Sequence, residues 1–341
     1  MYRVAINGYG RIGQCLLRAL VTGPHAGHFE VMAINELAGL ETISHLTRYD
    51  TTHGRFPLPV SHDRDHLIVN GRPIAVSHEA NPARLTWGGH DIDLLFECSG
   101  SFTDRLTALA YLGSGPSRIL LSHPAGPDMD ATIVFGVNHH LLRPDDRVIS
   151  AASCTTNCLT PALMLLDQSF GVEQGLITTI HSAMNDQPLL DSSRHANLRL
   201  SRSALHSIIP VDTGLAKGIG RILPKMHGRF QCLHLRVPTL NVSAMDMSVN
   251  LSSPATVAAV NELFRQAAVG AYEGVIAYTE EAQASVDFNT DPHSLIIDAT
   301  QTRMCGDKML KMLLWFDNEW GFANRMLDVG HLWLRLAEKK A

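Results

Sequence analysis

The sequence predicts an α/β protein whose first domain is an open parallel sheet with an antiparallel edge. Three observations lead there. Strand-like and helix-like runs alternate as far as about residue 150. A glycine-rich turn, Gly8-Tyr9-Gly10-Arg11-Ile12-Gly13, separates the first of those strands from the first of those helices. A two-residue turn, Asn70-Gly71, joins two short β-type runs, a strong hairpin signal that belongs on a sheet edge.

Taken in order, Tyr2-Arg3-Val4-Ala5-Ile6-Asn7 is a short strand that becomes more apolar along its length, and Ile12, Leu16, Leu17 and Leu20 follow at helical spacing. Between them stands G-x-G-x-x-G in the strand–turn–helix setting it requires. Gly8 makes the tight turn, Gly10 lets the backbone approach a pyrophosphate, and Gly13 lets the helix close on the strand. That is a Rossmann-type dinucleotide site. A second strand, residues 29–35, delivers Glu36. Its carboxylate can accept from ribose hydroxyls and repels a 2′-phosphate, so NAD is favoured over NADP. Residues 93–98 form a further strand ending at the small-residue turn Ser99-Gly100, and residues 118–122 another, ending at His123. Histidines 53, 62, 66, 139 and 140 read as solvated loop residues, and nothing frames His62 and His66 as metal ligands.

The second half carries reactive groups. In Ala151-Ala152-Ser153-Cys154-Thr155-Thr156-Asn157-Cys158 a cysteine stands where a β-type run gives way to an apolar run of helical length. A cysteine in the first turn of a helix meets unpaired N–H groups and the positive end of the helix dipole, and both favour the thiolate. Cys154 is therefore the expected nucleophile, with Cys158 a packed structural thiol. Residues 175–182 read as a strand in which His181 shares a face with Ile177 and Thr179. Near neutral pH a histidine can take a thiol's proton and later act on the oxygen of an adduct. Such a pair would also suit a cysteine hydrolase or acyl transferase; the dinucleotide turn is what points to oxidation. A polar loop over 185–206 carries Arg194, Arg199 and Arg202, and donor groups cluster near Thr213 and near Arg236. This set suits a phosphorylated substrate. An amphipathic segment over 323–336 closes the chain and is placed to return to the first domain.

Several classes are disfavoured. No apolar run approaches the roughly 20 residues of a membrane span. Met1 leads straight into a strand-like run, with no room for a signal peptide. The net charge is −5 with scattered Lys and Arg, which argues against nucleic acid as a partner. Six cysteines, only two of them close together, read as reduced thiols of a cytoplasmic protein.

The glycine turn with Asn7, the segment around Cys154, the histidine strand, Arg236-Val237-Pro238-Thr239 and Asp317-Asn318-Glu319-Trp320-Gly321 follow one another along nearly the whole chain. Together they resemble the phosphorylating glyceraldehyde-3-phosphate dehydrogenase superfamily. The resemblance implies an NAD-binding Rossmann domain over 1–152, completed by a C-terminal helix over 319–341. It also implies an α+β catalytic domain over 153–318 with a mixed or antiparallel sheet, and a homotetramer. Cys154 would be the nucleophile and His181 its activator. Ser153, Thr155, Arg199, Thr213, Gly214 and Arg236 would contact substrate; Gly8, Gly10, Arg11, Ile12, Gly13, Glu36 and Asn318 would contact the cofactor, Asn318 at the nicotinamide amide.

Within the superfamily, residues 34–38, 181–187 and 210–213 are most similar to the erythrose-4-phosphate-oxidising branch. Met184 stands where the glyceraldehyde-3-phosphate enzymes typically have a threonine that helps hold phosphate. Leu200 stands where members have the second of two adjacent arginines, so Arg199 or Arg202 takes its place or one cation is missing. Gly214 is of the glyceraldehyde-3-phosphate type, and Ala80 stands where the erythrose enzymes often have an arginine near the cofactor. The expected reaction is NAD-dependent oxidation of D-erythrose 4-phosphate to 4-phospho-D-erythronate through a Cys154 thioester, which by resemblance feeds pyridoxal phosphate synthesis. Phosphorylating oxidation of glyceraldehyde 3-phosphate is the alternative.

Overall fold

The computed structural model describes residues 1–193 and 197–339, so Arg194 lies outside the described residues. The chain divides into two compact units, Met1–Ser153 with Ala323–Ala341, and Cys154–Phe322.

The first unit is built on a nine-stranded sheet. Its order is Ala131–Thr132, Val148–Ser150, Ile119–Leu121, Leu94–Glu97, Tyr2–Asn7, Phe29–Asn35, Arg72–Ser77, His66–Val69 and Val60–His62. Pairing is parallel up to Arg72–Ser77 and antiparallel beyond it. Central parallel strands are covered on both faces, which is why Val4, Ala5 and Ile6, and Leu94, Leu95 and Phe96, are all fully buried. The antiparallel edge turns on Asn70 and Gly71, whose φ angles of 50° and 76° are those a two-residue hairpin needs. The outermost strand, however, is Val60–His62 rather than the hairpin itself. His62 ends that strand and His66 begins the next, so both lie on strands and not in a loop. The run over 67–69 reads as β-type, but strands of three and four residues show too little alternation for the sequence to give their bounds.

The helix Trp320–Glu338 supplies the unit's C-terminal part from Ala323 onward. Trp333 is fully buried there and its indole N–H donates to the Arg143 carbonyl at 3.2 Å. The Tyr2 hydroxyl donates to Glu338 at 2.7 Å, tying the helix end to the first strand.

The second unit holds an eight-stranded mixed sheet in the order Ile209–Val211, Phe230–Arg236, Val172–His181, Ser243–Leu251, Met309–Phe316, Leu295–Asp298, Ile276–Thr279, with Arg303–Cys305 pairing Met309–Phe316. Val172–His181 runs parallel to Phe230–Arg236 and antiparallel to Ser243–Leu251. The helix Cys154–Phe170 lies against Val172–His181 and Ser243–Leu251, burying Cys158, Leu159, Leu163 and Leu166 completely. Among the described residues no helix is long and apolar enough to cross a membrane.

Candidate active site

In the first unit each glycine of the turn meets a different constraint. Gly8 has φ +83°, and a Cβ there would lie 2.5 Å from the Ser99 backbone nitrogen. A Cβ on Gly13 would lie 2.3 Å from the Gly8 carbonyl oxygen, so the helix Arg11–Thr22 can sit this close to its strand only with glycine. Gly10, which caps that helix, has nothing within 4 Å of its absent Cβ. The helix start is therefore open to a phosphate, with its N–H groups and positive dipole end behind it. Glu36 is oriented by two backbone N–H groups, Tyr9 at 2.8 Å and Ala38 at 3.1 Å. One lone pair on each oxygen stays available for ribose hydroxyls. The Arg11 guanidinium is held by Asp50 through bonds of 2.8 and 3.1 Å. Any cofactor contact from Arg11 then falls to its main chain.

Beneath this turn lies a polar row that sequence reasoning missed. Glu97, Asn7, Asn35 and Ser77 stand directly opposite one another on four adjacent parallel strands. Asn7 donates to Glu97, Asn35 donates to Asn7 at 2.8 Å, and Ser77 donates to Asn35 at 2.9 Å. Glu97 is fully buried and also accepts from Ser99; burial raises its pKa against those bonds. The signal was present: each of the four is the last residue of its strand or nearly so.

In the second unit the site is organised on Cys154. The strand Val148–Ser150 leads into Ala152, whose φ of +61° is left-handed for a residue with a Cβ. Such backbone costs on the order of 1–3 kcal/mol and persists where its surroundings demand it. The turn lets Cys154 open the helix directly. Burial pushes its thiol up to about 11, although the Arg236 charge and the backbone N–H groups of Thr155 and Cys154 pull it down. This reverses the expectation that the helix start alone yields a thiolate. Lost hydration outweighs the partial charge of a helix end. The sulfur needs a base.

His181 is placed to act as one. Ile177, Thr179 and His181 are buried on one face of their strand, and His181 Nε2 lies 3.8 Å from the Cys154 sulfur. Burial, then the Arg236 charge, lowers the imidazole to about 3 despite the Ser182 carbonyl, so the ring is neutral at working pH. His234 stacks on it at 5.1 Å and is likewise lowered, to about 4, by burial and Arg236. Arg236 faces His181 across the parallel pairing.

His181 Nδ1 has two neighbours, Arg236 Nη1 at 2.7 Å and the Ser182 carbonyl oxygen at 2.9 Å. A guanidinium only donates and a carbonyl only accepts, so the two select opposite tautomers. With Arg236 donating, Nε2 carries the proton and cannot take the thiol's. With Nδ1–H given to Ser182, Nε2 presents its lone pair to the sulfur. Arg236 is half-buried, forms no ion pair among the described residues, and leaves its Nε without a hydrogen-bond partner. A half-buried unpaired guanidinium is a natural anion site.

The remaining expected residues are spread around this group. Asn318 is buried, and its side-chain oxygen accepts from Ser182 at 3.0 Å and Ser243 at 2.7 Å. Its NH₂ end is thereby directed to whatever ligand it meets. Ser182 and Ser243 were not singled out in sequence, since no motif marks a serine that only orients an amide. Ser153 and Thr155 flank Cys154, Thr155 buried and Ser153 half-buried. Thr213 Oγ1 accepts from Leu215 N–H at 3.2 Å, and Gly214 caps the helix Leu215–Ile222 with open space beyond its Cα. Arg199 is exposed on the turn Leu198–Ser201, while Arg202 pairs with Asp191 at 2.9 Å. Neither bonds to Cys154, His181 or Arg236.

A glycine cradle on a parallel sheet and a second unit with a cysteine–histidine pair define the class, a dinucleotide-dependent oxidoreductase. Two family models match the chain: glyceraldehyde 3-phosphate dehydrogenase, NAD binding domain, over residues 2–105, and glyceraldehyde 3-phosphate dehydrogenase, C-terminal domain, over residues 153–318. The chain belongs to the glyceraldehyde-3-phosphate dehydrogenase family and is an NAD-dependent dehydrogenase.

The glycines give a first test. Gly13→Ala should cost about 1–3 kcal/mol in a denaturant melt, because its Cβ overlaps backbone that cannot step aside. Gly10→Ala should melt like the parent yet bind NAD more weakly in a fluorescence titration. Equal NAD affinity in Gly10→Ala would remove Gly10 from the phosphate contact.

Proposed function

We propose that this chain oxidises D-erythrose 4-phosphate to 4-phospho-D-erythronate, acting as a homotetramer. The observation that carries the substrate is Met184, three residues beyond His181 and 45% exposed. Where the family typically offers a threonine hydroxyl to the substrate phosphate, this chain offers a thioether. Losing a hydrogen bond to a charged group costs on the order of 1.5–3 kcal/mol, which weakens the shorter substrate in that binding mode. The open Gly214 cap, of the glyceraldehyde-3-phosphate type, favours the second reading, phosphorylating oxidation of glyceraldehyde 3-phosphate.

The chemistry follows from the pair of tautomers. A substrate phosphate draws Arg236 off His181 Nδ1, and Nδ1–H then donates to Ser182. Nε2 takes the proton of Cys154 as the sulfur adds to the aldehyde carbon and hands it to the alkoxide oxygen that forms, giving a hemithioacetal and leaving Nε2 free again. His181 assists again by removing the hydroxyl proton of that adduct as hydride departs, leaving a thioester on Cys154. NAD, when bound, accepts the hydride. Water then cleaves the thioester, releasing the carboxylate and restoring the thiol. Inorganic phosphate in place of water would give an acyl phosphate.

NADH production from the two sugar phosphates, each with and without inorganic phosphate, tests the assignment. Turnover of erythrose 4-phosphate that ignores added phosphate supports it. Preference for glyceraldehyde 3-phosphate with an absolute phosphate requirement overturns it in favour of the second reading.

A further inference from the structure

We propose that His25, His28 and His331 in the first unit bind one divalent transition-metal ion of the zinc class, with Asp328 as the carboxylate behind His25. His25 and His28 lie between the helix Arg11–Thr22 and the strand Phe29–Asn35, and His331 lies on the C-terminal helix. One ring nitrogen from each of the three lies within 4.8 Å of the other two.

The tautomers are prepared for this. His25 is 8% exposed, and its Nε2 sits 2.7 Å from Asp328 Oδ1. A carboxylate accepts, so Nε2 carries the proton and Nδ1 presents a lone pair. That Nδ1 is buried without a hydrogen-bond partner, and so is Nδ1 of His331. Two orphaned imidazole nitrogens in one place carry a desolvation cost that a metal would repay. The other Asp328 oxygen takes Arg325 Nη2 at 2.8 Å, which fixes the carboxylate and hence the His25 ring. A carboxylate holding the far nitrogen of a ligating histidine is the usual outer arrangement of imidazole metal sites.

His28 is exposed and stacks on His331 with centroids 4.3 Å apart and an interplanar angle of 16°. Parallel rings cannot both aim at one ion. His28 must therefore swing out of the stack, bringing nitrogens to the roughly 3.3 Å spacing that metal–nitrogen bonds of about 2.0–2.1 Å impose in a tetrahedron. Its exposure gives the ion an entry path and leaves the fourth position to water. Three imidazoles select zinc, copper, nickel or cobalt over magnesium and calcium. Bound there, the ion would clip the C-terminal helix to the loop before the second strand.

The test uses the full chain, stripped with a chelator and titrated with Zn²⁺ by calorimetry and with Co²⁺ by absorption. One equivalent should bind, raise the melting temperature, and give a Co²⁺ spectrum without an intense thiolate charge-transfer band. His28→Ala, an exposed change whose metal-free melt should match the parent, should weaken binding at least tenfold and remove the thermal shift. Asp328→Asn should weaken it on the order of 10–100-fold. Unchanged affinity in both His28→Ala and His331→Gln would overturn the proposal. So would a thiolate band that iodoacetamide abolishes, or no binding at all, which would leave a bridging water as the partner of the orphaned nitrogens.

Discussion

Cys154→Ala is expected to stop NADH production from either sugar phosphate, a loss on the order of 10⁶-fold as when other covalent enzymes lose their nucleophile. NAD binding should survive, because the glycine cradle and Glu36 belong to the first unit while Cys154 opens the second. The neighbouring thiol is a poor substitute. Cys158 is fully buried one helical turn away, and burial raises its pKa well above the usual thiol range. Aldehyde oxidation that persisted in Cys154→Ala would end the covalent mechanism. Loss of NAD binding together with activity would instead show that the substitution had damaged the fold.

His181→Asn is expected to lose on the order of 10²–10⁴-fold, the usual worth of a positioned general base. Its remaining rate should climb with pH toward about 11, where the thiol ionises unaided. The parent does not need that, since its imidazole is neutral and able to accept a proton down to about 3. The same lowered pKa carries a stability consequence of definite sign. An imidazole titrates near 6.5 when free and near 3 in the folded chain, so as pH falls the unfolded state takes up the proton first. Stability contributed by the neutral ring is complete above about 6.5 and drains away as pH falls toward 3. His181→Asn should therefore melt with a shallower pH dependence across that window. An unchanged pH–rate profile together with an unchanged melting profile would take His181 out of both roles.

Much of this site was legible in the linear chain. The glycine turn could be read because each position obeys a rule local to a few residues: a left-handed φ at Gly8, an approach to backbone at Gly13, an open face at Gly10. The alternation that placed His181 with Ile177 and Thr179 is equally local, a consequence of the strand's period of two. Glu36 could be read from its place at a strand end, although not the two N–H groups that aim it. The strand Phe230–Arg236 escaped notice because five of its seven residues are exposed or partly exposed and its apolar pattern is weak. Arg236 was found by motif without its strand, and so without its partner.

The chain's own order of residues determined the glycine turn, the strand face that carries His181 and the place of Cys154 at a helix start, because turn geometry and periodicity act over a handful of neighbours. Only the tertiary structure decided how those groups behave. Burial set the Cys154 thiol against the helix end that opens it. Strand pairing put Arg236 beside His181 across 55 residues of sequence and gave one imidazole nitrogen two incompatible partners. The row Glu97–Asn7–Asn35–Ser77 and the cluster His25–His28–His331 arise in the same way, from registers and helix returns that no local pattern encodes. Protonation states depend on desolvation and on neighbours brought from afar, and both exist only once the chain has folded.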